Sequence, residues 1–266
     1  MTEERLKPKM VVEIKNQPFS RSPVDILIPF HGQYDKVSKL IYSIVLAVKS
    51  NPYQITLIDD ASPNNEYVTL FKDFDKNRPQ GTEPILKYVR NEKRLGFAGS
   101  LQQGFMATRQ PWVMIMHSDC VVEDPQWMVE MGRSLLSLRD KKVKMVSARC
   151  QKSIPGVTPQ IKGKKGECVD DYVLEDGFVP LFCVMCHRDL FRHIGGFIKN
   201  YTTYEDEELA YRMNYYGYKQ AICGSSYIYH EGGGTYSEMI RNNPAILEEI
   251  ESSREKAVSD LRLLRR

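Results

Sequence analysis

The chain has 266 residues, 42% hydrophobic and 27% charged, which is enough apolar material for one large α/β core and too much for a disordered polymer. Its 37 Lys and Arg stand against 34 Asp and Glu, a net +3 too small and too evenly mixed for a nucleic-acid-binding surface. No run reaches the roughly 18 apolar residues of a membrane span, and the opening MTEERLKPKM lacks a secretory apolar core, so the expectation is a cytoplasmic protein whose six cysteines are free and buried.

Residues 1–23 read as an N-terminal extension. From residue 24 to residue 149, short β-branched runs alternate with helix-period segments, the rhythm of βα units around a mostly parallel sheet. Strands are expected at Val24 to Pro29, Gln54 to Asp59, Leu86 to Val89, Trp112 to His117 and Lys144 to Ala148. Between the first two, Val37, Leu40, Ile41, Ile44, Val45 and Val48 recur every three or four residues, which predicts a helix with one buried stripe. Phe97, Leu101 and Phe105 repeat the pattern. Asp124 and Pro125 read as an N-cap and first helical position ahead of Trp127, Met128, Met131, Leu135 and Leu138.

Residues 150–170 are rich in Pro, Gly and Lys without a period and predict a flexible surface loop, with a lid as one use. Residues 171–240 combine an apolar stretch, a short helix near Asp189 to His193, an acidic helix start at Glu205 and a strand ending at His230, and they are expected to dock on the first half as part of the same domain. Residues 241–266 trace an amphipathic helix; packing on the domain is its expected role, with membrane-surface or homo-oligomer contact as the weaker alternatives.

In a parallel α/β sheet, ligands bind beyond the carboxyl ends of the strands. Those positions here are polar: Pro29, Phe30 and His31 after the first strand, Asp59 and Asp60 after the second, Asn91 after the third, and His117, Ser118 and Asp119 after the fourth. One carboxylate can hydrogen-bond a nucleoside while another holds a divalent cation, although any single one also suits a structural loop, and His31 taken alone reads as structural. No G-x-G-x-x-G follows the first strand and no P-loop occurs anywhere, so a nucleotide diphosphate has to be held in another way; a metal ion on Asp119 would do it, with Mg2+ or Mn2+ suiting oxygen ligands and a nearby imidazole also suiting Mn2+.

The motifs VDILIPFHG, ITLIDDAS, NEKRLGFAGSLQQGF, HSDCVVEDPQW, DLFRHIGGFIKNYTTYEDEELAYRMNYYGYK and YIYHEGGGTY together resemble the family-2 glycosyltransferases, inverting enzymes of GT-A fold, over about Val24 to Tyr236. Within that family they are most similar to the bacterial rhamnosyltransferase-like branch that builds surface polysaccharides. The resemblance implies a nucleoside-diphosphate-sugar donor, UDP- or dTDP-linked by first expectation, a glycan or glycoconjugate acceptor, and a GT-A fold with a Rossmann-like, mostly parallel central sheet flanked by helices. By the same resemblance, Asp60 faces the base with Asp59 in the same pocket, and Asn91, Gly96, Phe97, Ala98 and Gly99 approach the donor. Asp119 matches the last carboxylate of the D-x-D motif, and His230 contacts the diphosphate or the metal. His117 departs from the motif, where Asp or Asn is usual, and imidazole there can ligate the metal or bond phosphate oxygens.

Glu205, Asp206, Glu207 and Glu208 open a helix, where the dipole favours carboxylates, so a structural role suits Glu207 and Glu208. Asp206 is the expected general base, because transfer to a hydroxyl needs one carboxylate to take its proton, with Glu205 as the second choice. Arg212 can pair with these acids or with the diphosphate. The rival expectation is a catalytically weak nucleotide- or glycan-binding module derived from such an enzyme, suggested by His117.

Overall fold

A computed structural model describes residues 23–48, 52–64, 86–154, 156–198 and 204–232, with isolated positions between 68 and 72 and between 245 and 259. The N-terminal extension and most of the C-terminal amphipathic segment therefore lie outside the described residues. The elements in chain order are β1 (Val24–Phe30), α1 (Tyr34–Ala47), β2 (Tyr53–Asp59), β3 (Leu86–Arg90), α2 (Gly96–Ala107), β4 (Trp112–Met116), β5 (Cys120–Val121), α3 (Trp127–Ser137), β6 (Val143–Arg149), β7 (Tyr172–Val173), β8 (Cys183–His187), α4 (Arg188–Ile194), α5 (Glu205–Tyr215), β9 (Lys219–Tyr227) and β10 (Tyr229–His230).

Eight strands form one sheet in the order β3-β2-β1-β4-β8-β6-β9-β7, and β10 pairs with β5 in a separate two-stranded ribbon. β1 runs parallel to β2 and β4, β2 to β3, and β6 to β9, whereas β8 lies antiparallel between β4 and β6. The mostly parallel α/β architecture expected from the sequence is present. β1 and β4 are buried along their whole length and β2 from Ile55 onward, as the near-continuous apolar runs ILI, ITLI and VMIM require when helices cover both faces.

α1 buries Val37, Leu40, Ile41 and Ile44, the stripe read from the sequence. The expected helix start at Asp124 is displaced: the regular helix begins at Trp127, and Asp124 instead accepts the Gln126 N–H at 2.9 Å while its carbonyl takes the Trp127 N–H. The β8 sequence comes from the second half of the chain, so that half completes the first half's sheet from within. Among the described residues no helix is long and apolar enough to cross a membrane. All six cysteines are free; Cys168 is exposed, against expectation, because it sits in the polar stretch flanking β7 and meets the Ser225 hydroxyl at 2.9 Å.

The two ends of the loop after β6 are tied together. Arg149 donates to the carbonyls of Gln160 and Lys162, and Cys150 exchanges backbone hydrogen bonds with Ile161 and Gly163. Close approach also governs β9, where a Cβ on Gly224 would come within 2.0 Å of the Val169 carbonyl oxygen. Backbone on both sides cannot yield, so Gly224→Ala should lower stability by about 1–3 kcal/mol, read as an earlier midpoint in urea; an unchanged midpoint would show that the two segments separate freely.

Candidate active site

The carboxyl ends of β1, β2 and β3 are level, with Phe30 opposite Asp59 and Asp59 opposite Arg90. That alignment turns the fully buried Asp59 towards its own sheet: one oxygen accepts the Ser62 N–H at 2.7 Å, and the other takes the Tyr88 hydroxyl and the Arg90 guanidinium. Burial first, and then the bond to Asp59, push the Tyr88 phenol up to about 12. The side chain expected beside Asp60 in a nucleoside pocket thus clamps the strand ends. Arg90 also holds the Ser62 carbonyl, and His31 Nδ1 lies 2.8 Å from the Asp60 carbonyl, which closes the turn after β2.

Asp60 is buried and binds its own chain as well. It accepts from Asn91 Nδ2 at 2.9 Å and from the Leu95 and Gly96 N–H groups at 2.7 and 2.9 Å. These amides sit at the start of α2, where unpaired N–H groups and the helix dipole attract a carboxylate. Asp60 therefore fixes the segment from Asn91 to Gly99 against β2. Asn91 completes the joint through Ser100 Oγ at 3.0 Å. Ala61, directly after Asp60, has φ +55°, and Tyr204, directly before Glu205, has φ +74°, left-handed conformations that are costly for residues with a Cβ.

From this loop the Phe97 ring meets His117 edge-on, with centroids 5.0 Å apart, and His117 in turn meets His230 at 5.4 Å. His117 leaves the end of β4 with its N–H on the Phe182 carbonyl, and the Phe182 ring stacks on His230 at 4.7 Å. The β5–β10 ribbon places His230 opposite Cys120, next to Asp119. One ligand atom from each of His117, Asp119 and His230 lies within 4.8 Å of the others. His230 Nε2 is 3.2 Å from Asp119 Oδ1 but out of line for a hydrogen bond, so this buried nitrogen has no hydrogen-bond partner. An unsatisfied buried donor or acceptor costs about 1–3 kcal/mol, and a cation between the two side chains would remove that cost.

The charges at the trio follow from burial and proximity. Burial lowers the His117 imidazole to about 4, helped by His230. Burial would raise the Asp119 carboxyl, but the two imidazoles hold it down at about 2. For His230, burial opposes protonation, yet Asp119 and Cys150 raise it to about 9. Asp119 is ionised and His117 neutral at pH 7, the forms that ligate metals, while His230 has to release a proton on binding one. A carboxylate with two imidazoles is a mixed oxygen and nitrogen set, which suits Mn2+ better than Mg2+.

Asp206 reaches the same region from α5, where its Oδ2 accepts the Leu181 N–H at 3.3 Å, one residue before Phe182. Burial raises the carboxyls of both Glu205 and Asp206 above their ordinary range, and for Glu205 the adjacent Asp206 charge adds to it. Asp60, through Gly96 and Phe97, and Asp206, through Leu181 and Phe182, are thus joined by consecutive contacts to His117, Asp119 and His230. Arg212 is not part of this group. Its guanidinium is paired with Glu208 and donates to the Ile194 and Gly196 carbonyls, capping the end of α4. Of the carboxylates at the start of α5, Glu208 is the structural one. Phe182 was legible only as part of an apolar stretch, since its place under His230 depends on pairing 62 and more residues away from β4 and β5.

The profile of glycosyl transferase family 2 matches residues 25–163, just over half of the chain. The protein belongs to glycosyl transferase family 2. The mannosyltransferase PcManGT of Pyrobaculum calidifontis, solved with GDP-Man and Mn2+, superposes with TM-score 0.61 at 16% identity, covering 88% of this chain and 64% of that one. S. aureus TarS 1–349 gives TM-score 0.56 at 12% identity over 82% of this chain and 63% of that one, and its complex with UDP-GlcNAc gives 0.57 at 13% over 81% and 61%. These likenesses show a shared GT-A fold, and this chain spans less than two thirds of each of those structures. Comparison with curated proteins gives no match.

Proposed function

We propose that the protein is a glycosyltransferase that moves a sugar from a nucleoside-diphosphate-sugar donor to a hydroxyl of a glycan or glycoconjugate, with inversion at the anomeric carbon and with the help of a divalent cation. The observation that carries this reading is the convergence of His117, Asp119 and His230, whose ligand atoms all lie within 4.8 Å of one another, with His230 Nε2 3.2 Å from Asp119 Oδ1. Structural relatives solved with GDP-Man and Mn2+ and with UDP-GlcNAc support the donor class and the metal.

Asp119, His230 and His117 would hold Mn2+ or, less favourably, Mg2+, which when bound neutralises charge on the departing diphosphate. The segment Asn91 to Gly99, tied down by Asp60, borders the donor. Asp206, oriented by the Leu181 N–H, takes the proton of the attacking hydroxyl, with Glu205 next to it. Displacement in one step needs no enzyme nucleophile, and burial accordingly pushes the Cys183 and Cys186 thiols far up, away from thiolate. Five buried free thiols also suit a reducing cytoplasm.

The experiment is a panel of UDP-, GDP- and dTDP-linked hexoses and dTDP-rhamnose, scored for donor hydrolysis and transfer with and without Mn2+, with the product anomer read by NMR. Mn2+-dependent turnover with inverted configuration supports the reading. Nucleotide binding without turnover of any donor favours the binding module instead, and retained configuration removes the single displacement.

The raised carboxyl pair also sets a pH dependence. Turnover limited by Asp206 ionisation should rise with pH above the ordinary carboxylate range, and Glu207→Gln, which removes the neighbouring negative charge that helps burial raise Asp206, should move that rise to lower pH. Stability runs the other way. The folded state keeps protons that the unfolded chain releases near pH 4, so the pair's contribution is complete below that pH and is lost as pH climbs through the raised folded values. The stability of Glu205→Gln relative to the parent should therefore grow from pH 5 to pH 8; a constant difference in thermal midpoint would contradict it.

A further inference from the structure

We propose that Gln151 is a positioning residue for the metal site, setting the place of His230 by replacing a missing rung of the β-ladder; this rests on the metal-assisted reading above. β6 and β9 run parallel as far as Arg149 and Tyr227, and the Ile228 N–H still bonds the Arg149 carbonyl at 2.9 Å. At the next residue the pairing fails. The Cys150 backbone turns into the following loop, with its N–H on the Ile161 carbonyl and its carbonyl taking the Gly163 N–H at 2.8 Å. Among the described residues no main chain from this side bonds the His230 N–H or carbonyl.

The Gln151 side chain fills the gap. Its Oε1 accepts the His230 N–H at 3.1 Å and its Nε2 donates to the His230 carbonyl at 2.7 Å, so the primary amide does for His230 what a neighbouring peptide group would do. On its other side His230 is paired with Cys120 in β5. The His230 N–H and C=O are thus both held by Gln151, and on the β5 side it is the neighbouring Glu231 N–H that bonds the Asp119 carbonyl at 3.1 Å. Lys152 continues the strap by donating to the Glu231 carbonyl, and the Glu231 carboxylate ties it to Lys36 and Lys39 of α1 at 3.3 and 3.5 Å. Arg149 roots the loop itself by donating to the Gln160 and Lys162 carbonyls.

The arrangement needs both ends of the amide. Glutamate at 151 has the same shape and can accept the His230 N–H, but it sets a carboxylate oxygen against the His230 carbonyl where a donor is required. A role in packing alone would tolerate that exchange, whereas a ladder-bridging role would not. Contacts that orient metal-ligating histidines from outside typically contribute 10–100-fold in metal affinity.

The test is Mn2+ binding to the full chain, measured as free Mn2+ by electron paramagnetic resonance, for the parent, Gln151→Ala and Gln151→Glu, alongside thermal midpoints without metal. Both variants should bind Mn2+ about tenfold or more weakly, and in donor hydrolysis should need correspondingly more Mn2+ for half-maximal rate, with the rate at saturating Mn2+ kept. If Gln151→Glu binds like the parent, the positioning role is overturned. If both variants lose the native fold without metal, Gln151 is a structural residue and the role is overturned as well. A parent that binds no Mn2+ at all removes the metal-assisted reading itself, an outcome distinct from either of these.

Discussion

Asp119→Ala should reduce donor turnover by about three orders of magnitude, equivalent to roughly 4 kcal/mol of transition-state stabilisation at 1.36 kcal/mol per decade. Asp119 is the one carboxylate of the metal trio, and its ionised form also faces His230 Nε2 at 3.2 Å. Removing it takes away the only anionic ligand among the three side chains and leaves two imidazoles, a set too weak to hold a hard cation against water. The loss should appear in the chemical step and in Mn2+ affinity together, while the fold survives, because Asp119 lies on the short turn between β4 and β5 rather than within the sheet. Rate measurements at rising Mn2+ decide the matter. A variant that regains the parental rate at high Mn2+ would show that Asp119 serves affinity alone, and one with the parental rate at every concentration would exclude it from the site.

Arg188→Met should cost about 3–5 kcal/mol of stability with little effect on the chemistry. Arg188 lies at the end of the sheet opposite the crevice, where its guanidinium bonds Asp25 at 2.7 Å, the Gln110 and Phe105 carbonyls at 2.6 and 2.9 Å, and the Thr108 hydroxyl at 2.8 Å. It also covers the Phe105 ring at 4.4 Å. Asp25 is fully buried, its second oxygen has no hydrogen-bond partner, and its first also takes the Gln110 N–H. Deleting the guanidinium alone strands a buried carboxylate among apolar strands, which is worse than never having placed a pair there. The double variant Asp25→Asn with Arg188→Met should therefore regain part of the loss, a non-additivity visible in a urea double-mutant cycle. A single-variant loss under about 1 kcal/mol, or strict additivity, would show that the pair is dispensable.

Local pattern revealed the part of the fold that local chemistry determines. The runs that became β1, β2, β4 and β6 are apolar because both faces of each strand are covered, and the α1 stripe is regular because one face is. Two-residue strands such as β5, β7 and β10 carry no period, and the insertion of β8 between β4 and β6 is decided by partners far away in sequence. The site divides in the same way. Asp119 and His117 were legible from their place at the end of the fourth strand and from the family motif, His230 from the family resemblance alone, and the structure brings their ligand atoms together. Asp59 looked available, but it faces Arg90, which only the folded chain brings opposite it, whereas the pairing of Arg212 with an acid of its own helix was open from the spacing and is made with Glu208. Gln151 gave no signal, because its two bonds are to backbone, and backbone is the same at every position.

The reversed strand β8 has a consequence for how the molecule assembles. β4 and β6 touch one another only through it, and it arrives at residues 183–187, after both of them. A nascent chain can zip β1, β2, β3 and β4 together as they emerge, but it must hold β6 unpaired on its β8 side until the later strand slots in. The stretch that carries the family profile stops at residue 163, so it contains both edges of that slot without the strand that closes it.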